Sequence, residues 1–381
     1  MYLILVSLRF AADIMLVKQA GSTTHEERLD TSMKKGLKIA AAVALVVIGV
    51  AASALIYLVY PGTPSRSRFM IFQGFIELPQ AGRLNVLDYL TLRDHILFVT
   101  SESSGSVFKV TLDPTTQVTA VNISTLPGGG AVHGVVLLPS QNVAFVTRGE
   151  ENTVDVFDSA SLQKIGRIPV ADDADAILYD PSTKLVYVAS GDAHLATLID
   201  PDTRTTVGTI ALEAKPEYPA LDARTGVLYQ NLNDTNMVAA INLAQRSIVG
   251  KWSIAPCEGP TGMAIDSEQR RLFAVCSHNA TLVVFDLEKH QVTASLKIGG
   301  GPDSVAFDAT LHRIYAAGKS GKLDVVQQDG PDTYRVLDQI STHYGAHTLV
   351  VDPATHQVFV GYASLLSHPR IAVFSPVTTQ P

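Results

Sequence analysis

The chain has 381 residues, of which 46% are hydrophobic and only 17% are charged, and its formal net charge is −7. This composition is too apolar for a disordered chain and is sufficient for a large buried core. The negative net charge does not favour a general nucleic-acid surface, which needs basic side chains to neutralise phosphates.

The first predicted element is an uncharged apolar run of 22 residues, 39–60. A helix of this length spans a hydrocarbon core of about 30 Å. Three lysines precede the run, at 34, 35 and 38, so the positive-inside rule places residues 1–38 in the cytoplasm. We therefore expect a single-pass signal-anchor helix in the cell membrane, with the rest of the chain on the extracytoplasmic (periplasmic or extracellular) side. The alternative is a secreted protein released by signal cleavage, although apolar signal regions are usually shorter, about 7–15 residues.

The segments that flank this helix carry no motif. Met33, followed by two lysines, resembles the natural start of an exported protein, so residues 1–32 are interpreted as the result of a wrongly assigned start and are given no function. A Pro/Ser/Arg linker, 61–68, follows the helix, and residues 377–381 form a C-terminal tail.

Between residues 69 and 376 the sequence is repetitive. An aromatic residue recurs in the second predicted strand of each repeat, at spacings of 42 to 47 residues. These seven aromatic residues are Phe98, Phe145, Tyr187, Tyr229, Phe273, Tyr315 and Phe359. A period of roughly 40–50 residues, built from short alternating strands, is typical of β-propeller blades with four strands each. The sequence therefore predicts an all-β, seven-bladed propeller.

The seventh repeat is one strand short, because the chain ends soon after its third predicted strand, residues 371–374. A lone strand-like stretch, residues 69–76, precedes the first blade. Pairing of these two stretches would complete the last blade and remove an open sheet edge. We therefore expect the N-terminal strand to close the ring.

The second strands share a short motif, which reads LFVT at 97–100, AFVT at 144–147, VYVA at 186–189 and LYQN at 228–231. It resembles the YVTN-type propeller repeat of exported bacterial and archaeal proteins, and the resemblance covers residues 69–376. It implies an exported propeller that acts as a surface component or binding module, and it implies no catalytic residue. Single-stranded nucleic-acid binding, known for some relatives, would need a basic, aromatic stripe that the sequence does not contain.

One position in each repeat concentrates side chains that bind cations. It lies 12 residues before the second-strand aromatic residue, or ten in the first repeat, where the inner strand of each blade begins. Inner strands line the central channel, so these residues should form one ring at its mouth, which we name the channel-mouth ring: Asp88, His133, Asp175, Glu217, Thr261, Asp303 and His347. Six of the seven are Asp, Glu or His, whereas 36 acidic residues and 11 His among 381 would place roughly one there by chance.

Carboxylates that converge on a channel repel one another unless a cation or hydrogen-bond donors compensate them. Carboxylate and imidazole ligands suit a divalent ion such as Ca²⁺, Mn²⁺, Fe²⁺ or Zn²⁺. The sequence therefore predicts a metal site of which three or four members bind the ion directly, drawn from Asp88, His133, Asp175, Glu217, Asp303 and His347. The alternative is a solvated polar plug whose members share protons.

Other polar residues are expected at the same end of the propeller, in the loops after the second strands. Each is interpreted as a solvated loop residue or as part of an outer wall of the site, and they are Asp192, His194, Asn233, Asp234, His278 and Asn279. The two cysteines, Cys257 and Cys276, flank the first two strands of the fifth blade, and antiparallel pairing brings them to one edge. In an oxidising compartment this position predicts a disulfide, with two buried free thiols as the alternative.

These features favour an anchored propeller that acts as a binding or scaffold module. Its loop face would meet an unidentified protein or small molecule, with a cation or small-ligand site at the channel mouth. The alternative is a metal-dependent, lactonase-like hydrolase in which a bound cation polarises a carbonyl group and a member of the ring acts as base. The sequence leaves open whether the protein is an enzyme, because it contains no nucleophile elbow, phosphate-binding loop or haem-attachment motif.

Overall fold

The structure, a computed structural model, describes residues 39–50, 62–117, 119–126, 129–138 and 141–377. The chain divides into two compact units, Met1–Tyr57 and Leu58–Pro381. In the first unit, residues 39–50 form a helix with exposed side chains. Within the described ranges, no helix is long and apolar enough to cross a membrane. The predicted signal-anchor helix is therefore not supported by this part of the chain, and its remaining residues lie outside the described ranges.

The second unit is a seven-bladed propeller of four-stranded antiparallel sheets. From the inner to the outer edge, the strands of blade 1 are Leu87–Arg93, Ile96–Ser101, Ser106–Leu112 and Ala120–Leu126, and those of blade 2 are Val132–Leu138, Val143–Arg148, Thr153–Asp158 and Lys164–Pro169. In the same order, the strands of blade 3 are Ala174–Asp180, Leu185–Ser190, Leu195–Asp200 and Thr205–Ala211, and those of blade 4 are Pro216–Asp222, Val227–Leu232, Met237–Asn242 and Ser247–Ser253. Those of blade 5 are Pro260–Asp266, Arg271–Cys276, Thr281–Asp286 and Gln291–Lys297; of blade 6, Pro302–Asp308, Arg313–Gly318, Lys322–Gly330 and Thr333–Ser341; of blade 7, Thr348–Val351, Val358–Tyr362, Arg370–Pro376 and Met70–Glu77.

The middle strands of the blades form the core. Arg271–Cys276 and Thr281–Asp286, for example, contain no exposed or half-buried residue. Neighbouring blades cover both faces of such strands, which is why they consist of continuous apolar runs rather than an alternating pattern. One core cluster joins Phe273 and Val284 of blade 5 to Ile314 of blade 6. Packing between blades thus explains the aromatic residue that recurs in every repeat.

The N-terminal strand of the propeller completes blade 7. Met70–Glu77 pairs antiparallel with Arg370–Pro376, from Met70 opposite Pro376 to Glu77 opposite Arg370. Ile76 is 3% exposed and packs in the same apolar cluster as Phe359 and Ile371. The first and last strands of the propeller therefore share one sheet, and the predicted seven-bladed fold with N-terminal closure is confirmed.

A disulfide and a cluster of ion pairs reinforce individual blades. Cys257 and Cys276 form a disulfide with a Cα–Cα distance of 5.3 Å. In blade 2 the buried carboxylate of Asp155 contacts three cations, with Arg148 Nε at 2.5 Å and with Lys164 Nζ and Arg167 Nε at 2.6 Å each. Burial alone would raise the pKa of Asp155, but the hydrogen bonds from these cations outweigh burial and lower it to about 2.

Candidate metal and ligand site at the channel mouth

A β-bulge near the start of the inner strands sets the direction of the channel-mouth side chains. In blade 1, Leu87 pairs with Ser101 and Leu90 pairs with Val99, so that Asp88 and Tyr89 together lie opposite Thr100. The inner strands of blades 2 to 6 shift register at the equivalent position. Bulges of this kind re-aim side chains and are common beside binding sites.

Hydroxyl groups of the second strands hold these bulges in place. The Thr100 hydroxyl accepts a hydrogen bond from the Tyr89 N–H at 2.9 Å and lies 3.2 Å from the carbonyl oxygen of the same residue. In blade 2, Thr147 accepts from the Gly134 N–H at 2.8 Å and donates to the Asp175 carbonyl oxygen of the next blade at 2.6 Å. The threonine of the repeated motif thus links the second strand to the channel wall.

All seven residues of the channel-mouth ring line one cavity of about 480 Å³. The same cavity is lined by polar and aromatic residues that the sequence reasoning did not single out, among them Tyr89, Glu102, Asp173, Lys215, Tyr218 and Lys319. The ring is therefore one surface, although its members are not equally close to each other.

Three members of the ring come within the range of a single ion. His133 Nδ1 lies 2.7 Å from Asp88 Oδ2 and 3.7 Å from Asp175 Oδ1. One ligand atom from each of the three residues lies within 4.8 Å of the other two, and no other group of three such residues in the described ranges meets this condition. Ligands at 2.0–2.6 Å from one ion (roughly the range for divalent metals in proteins) are separated by distances of this size.

The electrostatics of this cluster depend on whether a cation is bound. Burial alone would lower the pKa of His133, but the hydrogen bond and charge of Asp88, with the charges of Asp175 and Glu102, raise it to about 9. The pKa of Asp175 is raised well above its usual range by burial and by the charge of Asp88. Without a metal, the cluster is thus a His133–Asp88 ion pair beside a carboxyl group that resists ionisation. A divalent ion would displace the proton from Nδ1 and let the carboxyl group of Asp175 ionise as well.

Asp303 and His347 of the ring form a separate group with Lys319. Asp303 Oδ2 is 3.3 Å from Lys319 Nζ and 3.6 Å from His347 Nε2. His347 Nδ1 donates to the Gly345 carbonyl oxygen at 2.7 Å, because a carbonyl group can only accept. Lys319 therefore supplies a positive charge at this side of the channel.

Glu217 and Thr261 have different roles in the ring. Burial, and then the charge of Asp303, raises the pKa of Glu217 to about 7, against the opposing charges of Lys215 and Lys319. A carboxyl group that titrates near neutral pH is suited to proton transfer. The Thr261 hydroxyl donates to the Pro302 carbonyl oxygen at 2.9 Å, so it links two blades.

Two tyrosines from blades 1 and 4 stack on each other in the channel-mouth cavity. The rings of Tyr89 in blade 1 and Tyr218 in blade 4 stack with a centroid distance of 5.5 Å. Burial and the charges of Asp175 and Asp88 raise the pKa of Tyr89 well above its usual value, so its hydroxyl stays protonated as a hydrogen-bond donor. Each tyrosine directly follows a ring residue in the sequence, and the two-residue bulge turns both residues toward the channel.

The residues expected to form an outer wall do not line the cavity. The six loop residues from Asp192 to Asn279 are absent from its lining, whereas Glu102 and Lys319, each directly after a second strand, contribute to it. The position after the second strand does not by itself predict this lining, because Asn233 also directly follows a second strand and lies outside the cavity.

Comparisons with known proteins identify the fold. No protein-family model matches the sequence, so the YVTN-type repeat family is not confirmed, and no curated protein matches it. Among solved structures, hydrazine synthase of Kuenenia stuttgartiensis matches with a TM-score of 0.65 at 16% identity, covering 81% of this chain and all of that one. U3-55K matches with a TM-score of 0.66 at 11% identity (80% and 98% coverage), and the RRP9 WD40 repeats match with a TM-score of 0.67 at 11% identity (84% and 100% coverage). At these identities the similarity shows the propeller fold alone.

Proposed function

We propose that this chain is a binding module that holds a divalent cation, and through it a small ligand, at the mouth of the propeller channel. The observation that carries the proposal is the cluster of Asp88, His133 and Asp175, whose ligand atoms converge within 4.8 Å. Two carboxylates and an imidazole nitrogen are a donor set for Mn²⁺, Fe²⁺ or Zn²⁺, and Ca²⁺ would add more oxygen ligands. The cavity of about 480 Å³ leaves room above the ion for a ligand.

We further propose that the propeller is held at the extracytoplasmic face of a membrane by residues 39–60. The support is the uncharged run of 22 residues after three lysines, together with exposed apolar side chains in the described part of it, such as Ile39 at 65% and Leu45 at 70%. The disulfide between Cys257 and Cys276 fits an oxidising compartment. To test this topology, a reporter enzyme that is active only outside the cytoplasm is fused to the C-terminus, and we expect this fusion to be active. Activity of a second fusion, whose reporter works only inside the cytoplasm, would contradict the topology.

Metal content tests the cation site. The full chain is purified without chelator, dialysed, and measured by mass spectrometry beside the double variant His133→Ala/Asp175→Asn. About one ion per chain, lost in the variant, is expected from a single site. The matched control is Asp192→Asn/His194→Ala, which removes the same residue types from a loop outside the cavity and should keep the ion. Equal metal content in all three proteins would overturn the proposal.

A second candidate function is metal-dependent hydrolysis, and the observation that favours it is Glu217. Its pKa of about 7 would let this carboxylate take a proton from water at neutral pH, next to a cation that polarises a carbonyl group. Turnover of lactones and esters, lost in Glu217→Gln while metal content is unchanged, would establish an enzyme. Metal binding without turnover of lactones or esters would refute the hydrolase and be consistent with the binding module.

A further inference from the structure

A second, smaller cavity of about 270 Å³ opens beside the channel mouth, and we name it the side pocket. Part of its wall comes from a two-stranded sheet of Leu84–Asn85 and Ser364–Leu365, in which Leu84 lies opposite Leu365. Tyr344 and Ala363 complete the apolar part of the wall. Most of the lining surface is carbon, in contrast to the acidic channel mouth.

The side pocket and the channel cavity adjoin each other. Val86, Lys319 and His347 line both of them. His347 is fixed at this boundary, because it is 6% exposed and its Nδ1 donates to the Gly345 carbonyl oxygen. Lys319 is more exposed at the same boundary, with a side chain that is 58% accessible to solvent. The two cavities are therefore neighbours that share these three side chains as part of their walls.

The two cavities differ in the chemistry they can hold. Six carboxyl groups line the channel mouth, four of them from the channel-mouth ring and two from Glu102 and Asp173, so a bound cation favours the entry of an anionic or oxygen-rich group. In the side pocket, His343 is 1% exposed, and burial lowers its pKa, so this imidazole is neutral at physiological pH. Transfer of a hydrocarbon group from water into such a pocket is favourable, because it removes apolar surface from water.

We propose that the two cavities form one bipartite site for a small amphiphile, with an oxygen-donor head group on the cation and an acyl-like apolar tail in the side pocket. The proposal rests on the cation site proposed above. Lys319 supports it, because its ammonium group lies where the head group would meet the tail and can pair with a negative head.

A pair of hydroxamates tests the proposal. The full chain is loaded with Mn²⁺, its metal content is measured, and acetohydroxamate and octanohydroxamate are titrated by calorimetry. Both probes have the same chelating head, so a difference in affinity reports the tail. Each buried methylene group contributes roughly a fourfold gain in affinity. Burial of only two methylene groups would thus make octanohydroxamate more than tenfold tighter.

Two leucine variants locate the tail. Leu84 is 47% exposed and lines the side pocket, whereas Leu366 is 55% exposed and does not line it. Leu84→Asn should remove most of the gain from the longer chain and leave acetohydroxamate binding unchanged, and Leu366→Asn should keep the gain. Equal affinity of the two probes for metal-loaded protein would overturn the bipartite site and leave the cation site standing. A gain that persists in Leu84→Asn would also overturn it. Absence of bound metal, measured first, would instead refute the cation site on which it rests.

Discussion

The closing strand of the propeller provides the most quantitative test of the fold. Ile76 is 3% exposed in the outer strand of blade 7, whereas Ile71 in the same strand is 52% exposed. Truncation of a buried isoleucine to alanine costs about 3 kcal/mol, since it removes apolar contact and leaves a cavity. We therefore expect Ile76→Ala to lower the free energy of unfolding by about 3 kcal/mol, and Ile71→Ala to lower it by less than about 1 kcal/mol.

Urea unfolding followed by tryptophan fluorescence measures this difference. Trp252 is the only tryptophan and lies in the outer strand of blade 4, Ser247–Ser253, so it reports from a distant blade. A shift of the Trp252 transition by Ile76→Ala shows that closure stabilises the whole ring. Equal effects of the two alanine variants, or a Trp252 transition that neither variant moves, would refute the role of this strand in closing the propeller.

Three further predictions concern the ionic cluster, the disulfide and the cation site. Because the pKa of Asp155 is lowered to about 2, its ion pairs stabilise the fold above its unfolded pKa and are lost as the pH falls through the folded value. Asp155→Asn should cost about 2 kcal/mol at pH 6 and about half as much at pH 3, by urea titration. The variant Cys257→Ser/Cys276→Ser removes a link across 19 residues and should lose about 3 kcal/mol. Gly149→Ala adds a Cβ 2.8 Å from His133 Nε2, so it should displace the imidazole and weaken Mn²⁺ binding about tenfold in calorimetry.

Each of these predictions has a matched control. A cost for Asp155→Asn that does not change between pH 6 and pH 3 would contradict the ionic explanation. Reductant should destabilise the wild-type protein and leave the double serine variant unaffected. At Gly166 an added Cβ meets its nearest atom at an ordinary 3.5 Å, so Gly166→Ala should keep normal Mn²⁺ affinity, and equal weakening by both alanine variants would refute the steric argument.

Much of the fold could be predicted because a propeller repeats the same packing problem in every blade. The recurring aromatic residue occupies the buried second strand, and its period fixed the number of blades. The closing strand was predicted at residues 69–76 and is found at Met70–Glu77, since an unpaired strand at one end of the chain matched a missing strand at the other. The predicted transmembrane helix has no such internal check, and no helix within the described residues is long and apolar enough to span a membrane.

The candidate site was only partly predictable. The repeat register places all seven ring residues around one cavity, but it contains no distances across the ring, so it could not distinguish the close group of Asp88, His133 and Asp175 from the group around Asp303. Tyr89 and Tyr218 were missed for a physical reason. In a regular strand, successive side chains point to opposite faces, whereas the bulge turns two consecutive side chains toward the channel. Lys319 was missed because it lies in a loop, whose conformation the strand period does not determine.

Anomalous diffraction from a crystal of the protein soaked in Mn²⁺ tests the central claim most directly. We expect one strong anomalous peak at the channel mouth, within about 2.0–2.6 Å of His133 Nδ1 and of a carboxylate oxygen from both Asp88 and Asp175. A peak beside Asp303 and His347 instead, or the absence of any peak in the channel, would contradict the assignment of these three residues as the cation site.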